Sequence, residues 1–359
     1  MVSPDQAQVL QLLQTLTAVS FFEELAAQAQ ARFRQGIYTP AVVVWLMILQ
    51  RLHPKGTLSA AVQTLAAHPG LPVLTCCKRV RQARISVATG GYCQARLKLP
   101  KRVAVAVSDH IMHQLQQQIQ EGWPGLQRPV FLIDGSSLQL QHERSLARAF
   151  PPGRNQHGQG HWPVLKLVVL HDVYSGLALR PTWGPMYGPH AVSEQALACQ
   201  AIERLPPEAV VLADRNFGIF AVAWAVVQSQ RAFVFRLTEE RARKIGCDAV
   251  RATQEQSVVW KISRWDRSHH PDLPADAQLA GRLLAFPHPA EPGQRLYLFT
   301  NLSLPAGQIL ALYGLRWNVE TDLRSLKQTV RLHQLSSKSV DMMEKNFCLP
   351  SRPTTWCAR

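Results

Sequence analysis

Val130-Phe131-Leu132-Ile133-Asp134-Gly135-Ser136 is an apolar run that ends in an aspartate and two turn residues. A second run, Ala209-Val210-Val211-Leu212-Ala213, leads directly into Asp214. Short apolar runs bounded by turn residues predict buried strands. Open α/β sheets place their chemistry at the carboxyl ends of such strands, so both aspartates are candidate functional residues. An aspartate before a turn is also common for local hydrogen-bonding reasons, and neither position decides the function alone.

Strand and helix patterns alternate around these two runs. Residues 164–172 and 177–180 are strand patterns, and Tyr174-Ser175-Gly176 between them predicts a hairpin turn. Three further elements are predicted, a helix from Ser193 as N-cap to Leu205, a helix over Ile219–Gln228 and a strand over Phe233–Leu237. This order predicts an α/β fold whose sheet is mixed in direction.

The N-terminal part of the chain is helical and strongly basic. Helical periodicity covers Phe21–Phe33, Pro40–Leu52 and Leu58–Ala67, with glycine and proline between the segments. No acidic residue occurs between Glu24 and Asp109, where twelve basic residues lie. A field of one sign repels itself, so contact with a nucleic-acid backbone is a better explanation than a solvated surface. A helical bundle that only caps the next domain remains the alternative.

Composition excludes several classes of protein. The 359 residues carry a net charge of +15, with 47% hydrophobic and 18% charged residues, which is typical of a globular protein with a polyanionic partner. The longest early apolar run, residues 41–49, is far shorter than the roughly 20 residues of a membrane span. Seven scattered cysteines without a C-x2-C pair favour reduced thiols over disulfides or zinc. The sequence therefore predicts a cytoplasmic protein without a membrane association.

A long helix near the C-terminus carries a narrow polar stripe. The helical pattern runs from Ile309 to Val330, and at about 100° per residue one stripe roughly 60° wide contains Tyr313, Arg316, Glu320 and Lys327. The adjoining sector holds the apolar residues Leu312, Leu315, Val319, Leu323, Leu326 and Val330. On geometry alone the stripe could be a solvated face with pairs such as Arg316–Glu320.

The spacing within this stripe is Y-x2-R-x3-E-x6-K. With this spacing, the chain resembles the DDE transposases of bacterial insertion sequences, in the insertion-sequence-four family. Three other segments match the style of that family, Tyr92 to Pro100, Ile133-Asp134-Gly135-Ser136 and Ala213-Asp214-Arg215-Asn216-Phe217-Gly218. The resemblance extends from about Phe21 to Phe347.

The resemblance implies a fold and a reaction. The expected fold is α/β, a ribonuclease H-like mixed-sheet core with a helical N-terminal domain and a β-rich insertion before the last catalytic helix. Asp134, Asp214 and Glu320 would be the catalytic residues and would hold two divalent cations, Mg²⁺ or Mn²⁺. Asp134 would contact both ions, and Asp214 and Glu320 would each complete one of them. The expected reaction is in-line phosphoryl transfer that cuts transposon ends and joins them to target DNA.

The resemblance also implies DNA contacts. Arg316 and Lys327 would hold phosphates of the transposon end, and Tyr313 would contact the same strand. Trp260 and Trp265 could stack on a displaced base, although packing in a small sheet is the simpler explanation. The partners are double-stranded DNA, as inverted-repeat ends and target, and a second subunit in a homodimer. The expected location is the bacterial cytoplasm, in association with the nucleoid.

Five segments follow from this interpretation. They are a helical basic DNA-binding domain (1–125), the first part of the core (126–237), a β-strand insertion (238–305), the catalytic core helix region (306–347) and an irregular tail (348–359). That tail has no apolar period and predicts a C-terminally truncated transposase. Two alternatives stay open: a non-catalytic relic that binds transposon ends or inhibits active subunits, and a ribonuclease H-like nuclease unrelated to transposition.

Overall fold

The computed structural model describes residues 15, 17–28, 30, 36–52, 56–68, 73–74, 77–118, 126–156, 158–174, 176–246, 255–288, 291–316 and 337–349. The strands are β1 Val130–Gln139, β2 Arg154–Asn155, β3 Gly158–Gln159, β4 Val164–Asp172, β5 Thr182–Pro185, β6 Val210–Ala213, β7 Ala232–Leu237, β8 Glu255–Lys261, β9 Gln278–Pro287 and β10 Arg295–Thr300. The helices are Val19–Gln28, Pro40–Leu52, Leu58–Ala67, Lys78–Arg81, Gly90–Lys98, Lys101–Gln118, Arg144–Ala149, Glu194–Ile202, Phe220–Gln228, Glu239–Lys244, Arg264–His269, 306–316 and Val340–Cys348.

Eight of these strands form one sheet in the order β5-β4-β1-β6-β7-β10-β9-β8. β1, β6 and β7 are parallel, whereas β4 and β5 run antiparallel to their neighbours. The spatial order β5-β4-β1-β6-β7 with these directions is the topology of the ribonuclease H fold, which confirms the predicted fold class. The strands of the expected insertion, β8 to β10, extend the same sheet in antiparallel fashion from β7.

The two faces of the sheet are covered by different helices. Residues of β1 alternate between the faces, as the pleat of a strand requires. Phe131 and Ile133 pack with helices Glu194–Ile202 and Phe220–Gln228. Val130 and Leu132 pack on the other face, in a cluster with Ile309, Leu312 and Tyr313 of helix 306–316. Residues 130–133 of β1 and all of β6 are buried on both faces, which is why their sequence is continuously apolar instead of alternating.

The N-terminal helices surround Pro40–Leu52, in which Ala41 to Leu49 are all buried. Its all-round apolar sequence is explained by this central position and not by a membrane. Among the described residues, no helix is both long and apolar enough to cross a bilayer.

Helix Val340–Cys348 joins the N-terminal helices to the sheet. Met342 and Cys348 belong to the apolar cluster of the N-terminal helices. Met343 and Phe347 pack instead against Leu138 and Leu165 of β1 and β4. One amphipathic helix thus stabilises the contact between the two parts of the chain.

Lys345 is the buried polar centre of this contact. It is 2% exposed, and its Nζ donates to the carbonyl oxygens of Arg96 (3.3 Å) and Leu97 (3.0 Å) and pairs with Asp341 (2.6 Å).

We expect Lys345→Met to lower the free energy of unfolding by about 2 kcal/mol, because a hydrogen bond to a charged group contributes about 1.5–3 kcal/mol. Chemical denaturation measures this loss. Lys244→Met, which removes an exposed pair with Glu240, should change stability by less than about 0.5 kcal/mol. Equal effects of the two variants would contradict the buried role.

Most helix predictions agree with the structure, and the predicted strand over residues 177–180 is only partly present. These residues pair with the end of β4 through the His171–Ala178 bridge and two backbone hydrogen bonds, from Asp172 N–H to the carbonyl oxygen of Leu177 and from Leu179 N–H to that of Leu170. The antiparallel pairing with β4 continues in Thr182–Pro185. The alternating pattern at Leu177 and Leu179 is explained by burial, since both side chains pack in apolar clusters. The predicted segment boundaries stay predictions.

Candidate functional site

Asp134 and Asp214 lie side by side at the centre of the sheet. β1 and β6 are parallel neighbours, and their last matched pair is Leu132 with Leu212. Asp134 lies two residues after Leu132, and Asp214 lies two residues after Leu212. Because neighbouring strands are about 4.8 Å apart, this shared level brings the two positions together at one edge of the parallel strands. The sequence predicted both residues at strand ends. Asp214 directly follows β6, but the prediction was wrong for Asp134, which lies within β1 because that strand continues to Gln139 in its pairing with β4.

Asp134 points toward the face that helix 306–316 covers. It is two residues from Leu132 within β1, so both side chains lie on the same face, and Leu132 packs in the cluster of that helix. The carboxylate is half-buried, and its Oδ1 accepts the N–H of Gly135 at 2.8 Å.

Asp214 begins a tight turn that ends at Gly218. Its Oδ1 accepts the backbone N–H groups of Asn216 (2.9 Å) and Phe217 (3.3 Å). Its carbonyl oxygen accepts the N–H of Gly218 at 2.9 Å. Both of these carboxylate hydrogen bonds go to Oδ1, so among the described residues Oδ2 accepts none. One carboxylate oxygen thus holds the turn while the other is available to an external partner.

Arg241 and the close approach of Gly218 to β7 hold the backbone of this turn. Arg241 donates to the carbonyl oxygens of Arg215 (2.7 Å) and Gly218 (3.1 Å). Burial lowers the pKa of Arg241, the effect expected of a cation taken out of water. Gly218 lies directly against β7, where a Cβ would overlap the carbonyl oxygen of Arg236. The glycine of the Asp-Arg-Asn-Phe-Gly segment is therefore needed for a close backbone approach.

A further carboxylate, Glu194, was missed by sequence reasoning. Its Oε2 accepts the side-chain amide of Asn216 at 2.6 Å, and its carboxylate lies over Gly135. The predicted N-cap at Ser193 is confirmed, since its Oγ accepts the N–H of Ala196. That cap placed a helix start near the strand ends, but no local pattern indicated which strand its first carboxylate would reach.

The residues of the last-helix stripe are only partly described. Glu320 and Lys327 lie outside the described residues. Arg316 is half-buried, with its guanidinium carbon 5.8 Å from the centre of the Tyr313 ring. Tyr313 is fully buried within the cluster that also contains Leu132 and Leu212. A buried ring offers no surface to a DNA strand, so the structure gives Tyr313 a packing role in place of the expected contact.

The two tryptophans of the expected insertion differ in their exposure to solvent. Trp260 is buried and makes edge contacts with Phe220 and Phe299, so base stacking by Trp260 is excluded in this arrangement. Trp265 is 54% exposed and stacks on His269 at 4.1 Å between ring centres. Only Trp265 of this pair presents a ring to the solvent.

The basic N-terminal stretch presents its charges to solvent around the short helix Lys78–Arg81. Four cations in and beside this helix are exposed, namely Lys78, Arg79, Arg81 and Arg84, and Lys98 and Arg102 are exposed further along the stretch. By contrast, Lys101 pairs with Glu344 at 2.8 Å, and Arg96 bonds to Gln50 and stacks over Tyr92. The exposed quartet is thus the part of the stretch best placed to meet a polyanion.

The donor chemistry at the strand ends fits a hard cation. Asp134 and Asp214 supply carboxylate oxygens, which Mg²⁺ and Mn²⁺ prefer. Within the described ranges, no group of three His, Cys, Asp or Glu side chains is arranged to hold a metal ion. The expected third carboxylate, Glu320, lies outside those ranges.

Comparison with known proteins gives a family for this architecture. The model of the transposase DDE domain matches residues 125–349, which is well over half of the chain. The chain is 26% identical over 237 residues to the transposase InsG of insertion sequence element IS4 from Escherichia coli (strain K12), covering 63% of this chain and 50% of that protein. The chain thus spans about half the length of this curated relative.

A solved structure of the piggyBac transposase, in a synaptic complex with hairpin DNA, is also similar at a TM-score of 0.45 and 10% identity. The match covers 95% of this chain and 73% of that chain. The family assignment depends instead on the match over residues 125–349, which includes both strand-end aspartates. The chain belongs to the family of transposases with a DDE domain.

Proposed function

We propose that this chain is a DNA transposase that cuts transposon ends and joins them to target DNA by metal-dependent phosphoryl transfer. The observation that carries the proposal is the placement of Asp134 and Asp214 at one level on adjacent parallel strands. Helix 306–316 covers the face toward which Asp134 points, and the family signature continues from it to Glu320. These three carboxylates are the proposed catalytic residues.

Asp134, Asp214 and Glu320 would hold two divalent cations, Mg²⁺ or Mn²⁺. When bound, such ions polarise phosphoryl oxygens and supply a nucleophilic oxygen at neutral pH. The protein contributes position: Asp134 is held by a central strand, and Asp214 is held by its turn through Oδ1. Because Asp134 lies within β1 and Asp214 directly follows β6 in a hydrogen-bonded turn, a scissile phosphate would meet a rigid edge of the sheet.

The DNA would be held on either side of this edge. Arg316 and Lys327 are proposed to contact phosphates of the transposon end, and the N-terminal quartet to contact the duplex further away. The active assembly is proposed to be a homodimer, because two transposon ends must be joined. A cytoplasmic, nucleoid-associated location would follow from such a substrate.

A nicking assay tests the proposal. The purified chain is incubated with Mg²⁺ or Mn²⁺ and DNA that carries the inverted repeats flanking its own gene. Cleavage at the repeat ends that Glu320→Gln abolishes would support the proposal. Binding of the ends without cleavage would instead support a relic, and cleavage without preference for the ends would support an unrelated nuclease.

The basic quartet should account for much of the salt dependence of DNA binding. Replacing Lys78, Arg79, Arg81 and Arg84 together with alanine is expected to lower the slope of log affinity against log salt by about 3 to 4, since each lost phosphate contact removes about 0.9. Fluorescence anisotropy with a labelled duplex at several salt concentrations measures the slope. Arg243→Ala with Lys244→Ala, which removes two cations paired within one helix, is the control. An unchanged slope in the quartet variant would contradict a contact between these four residues and DNA.

Trp265 is proposed to stack on a base near the cut. Trp265→Ala should weaken binding of DNA with an unpaired end by about tenfold, since stacking on an aromatic ring contributes about 1–3 kcal/mol per base. Trp265→Phe should retain most of the affinity because the ring is kept. Comparing fully paired DNA with DNA that has an unpaired end separates stacking from general contact. If Trp265→Ala lost the same affinity for both DNAs, base stacking by Trp265 would be contradicted.

A further inference from the structure

Glu194 lies outside the family signature but reaches the surroundings of Asp134 and Asp214. It is the first residue of helix Glu194–Ile202, after the N-cap Ser193. A Cβ on Gly135 would come within 2.9 Å of Glu194 Cδ and within 3.0 and 3.1 Å of its two oxygens. Gly135 directly follows Asp134, so the Glu194 carboxylate lies against the backbone of β1 beside that aspartate. A side chain at residue 135 would displace it.

The same carboxylate is bonded to the turn that Asp214 begins. Glu194 Oε2 accepts the side-chain amide of Asn216 at 2.6 Å, and the backbone N–H of Asn216 donates to Asp214 Oδ1 at 2.9 Å. Gln195 adds a second link, donating to the carbonyl oxygen of Asn216 at 3.2 Å and to its Oδ1 at 3.3 Å. Asn216 therefore connects the start of this helix to the second aspartate.

Glu194 approaches from the face opposite to that of Asp134. Its helix packs with Phe131 and Ile133, whereas Asp134 shares the face of Leu132. Within the described residues, no group of three His, Cys, Asp or Glu side chains is arranged to hold a metal ion. The contacts of Glu194 connect β1 to the Asp214 turn on the face of the sheet opposite to that of Asp134.

We propose that Glu194 is a positioning residue, which fixes the Asp214 turn relative to Asp134 through Asn216. The inference rests on the proposed function, because the distance between the two aspartates matters for a metal they hold jointly. Groups that orient metal ligands from behind typically change metal affinity by about 10–100-fold. Gly135 is needed for this arrangement, since only glycine leaves room for the Glu194 carboxylate at that point of β1.

Two measurements on four variants test this role. The first is the hydrogen-exchange rate of the Asn216 and Phe217 amides, without metal or DNA. The second is the affinity for Mn²⁺ alone, measured by titration. The variants are Glu194→Ala, Glu194→Gln, Gly135→Ala and, as a control at the exposed C-cap of the same helix, Glu203→Ala.

Glu194→Ala and Gly135→Ala should each raise the two exchange rates and weaken Mn²⁺ binding by about tenfold or more. Glu194→Gln should behave nearly as the unaltered chain, because its amide oxygen can still accept the Asn216 amide. Glu203→Ala should change neither measurement. The inference is overturned if Glu194→Ala leaves both measurements unchanged, or if Glu194→Gln is as weak as Glu194→Ala, since charge and not the hydrogen bond would then matter. Failure of the unaltered chain to bind Mn²⁺ would overturn the proposed function. The exchange rates would still show whether the contact between Glu194 and Asn216 holds the Asp214 turn.

Discussion

Asp134→Asn is expected to lower metal-dependent cleavage of transposon-end DNA by about 10³-fold or more. The change removes one negative charge but keeps the shape of the side chain, and the remaining amide oxygen can still accept the N–H of Gly135. Metal-held charge stabilisation contributes several kcal/mol to such reactions. Each 1.36 kcal/mol corresponds to about tenfold in rate, which gives the expected loss. Gel-resolved single-turnover cleavage in Mg²⁺ measures it.

Asp214→Asn should give a loss of the same order, since its amide oxygen can keep the turn bonds to Asn216 and Phe217. Both variants should bind DNA normally and should lose the stabilisation that Mn²⁺ gives to the unaltered chain in thermal unfolding. Asp272→Asn, on the exposed surface after helix Arg264–His269, is the matched control and should cleave normally. Cleavage above a tenth of normal in either site variant would contradict the assignment of these aspartates.

Gly218→Ala is expected to have the largest effect on stability. The new Cβ would overlap the backbone carbonyl oxygen of Arg236 in β7, and a carbonyl held in a sheet cannot move aside as a flexible side chain can. Overpacking of this kind costs up to about 3 kcal/mol. The expected loss in Tm is therefore about 6 °C, at roughly 2 °C per kcal/mol for a large domain.

Gly90→Ala is the control for this variant. Gly90 begins helix Gly90–Lys98, and a Cβ there would meet no atom within 4 Å. Its Tm should stay within about 1–2 °C of the unaltered chain, because surface changes seldom exceed about 0.5 kcal/mol. If Gly218→Ala were equally stable, the turn after Asp214 would not depend on its approach to β7. The same variant should also weaken Mn²⁺ binding, because the turn carries one of the proposed ligands.

Local signals in the sequence predicted much of the fold. Pro40–Leu52 and Leu58–Ala67 were predicted with the bounds that the structure has, because proline and glycine mark their ends. β1 and β6 were predicted because a strand buried on both faces is apolar without interruption. The extent of the strand that follows β4 was not predictable in this way. Residues 177–180 pair with the end of β4 at a single bridge, and the longer pairing is made by Thr182–Pro185, which no pattern indicated.

By itself, the sequence determined the order of strands and helices, the two aspartates that follow apolar strand segments and the basic character of the N-terminal part, because each depends on residues close together along the chain. Only the tertiary structure decided which strands are neighbours, that Tyr313 and Trp260 are packing residues, and that Glu194 meets Asn216 and Gly135. These facts depend on contacts between residues far apart in sequence. A side chain carries no local mark of the surface it will meet after folding, whereas a turn, a cap or an apolar run acts on its own neighbours.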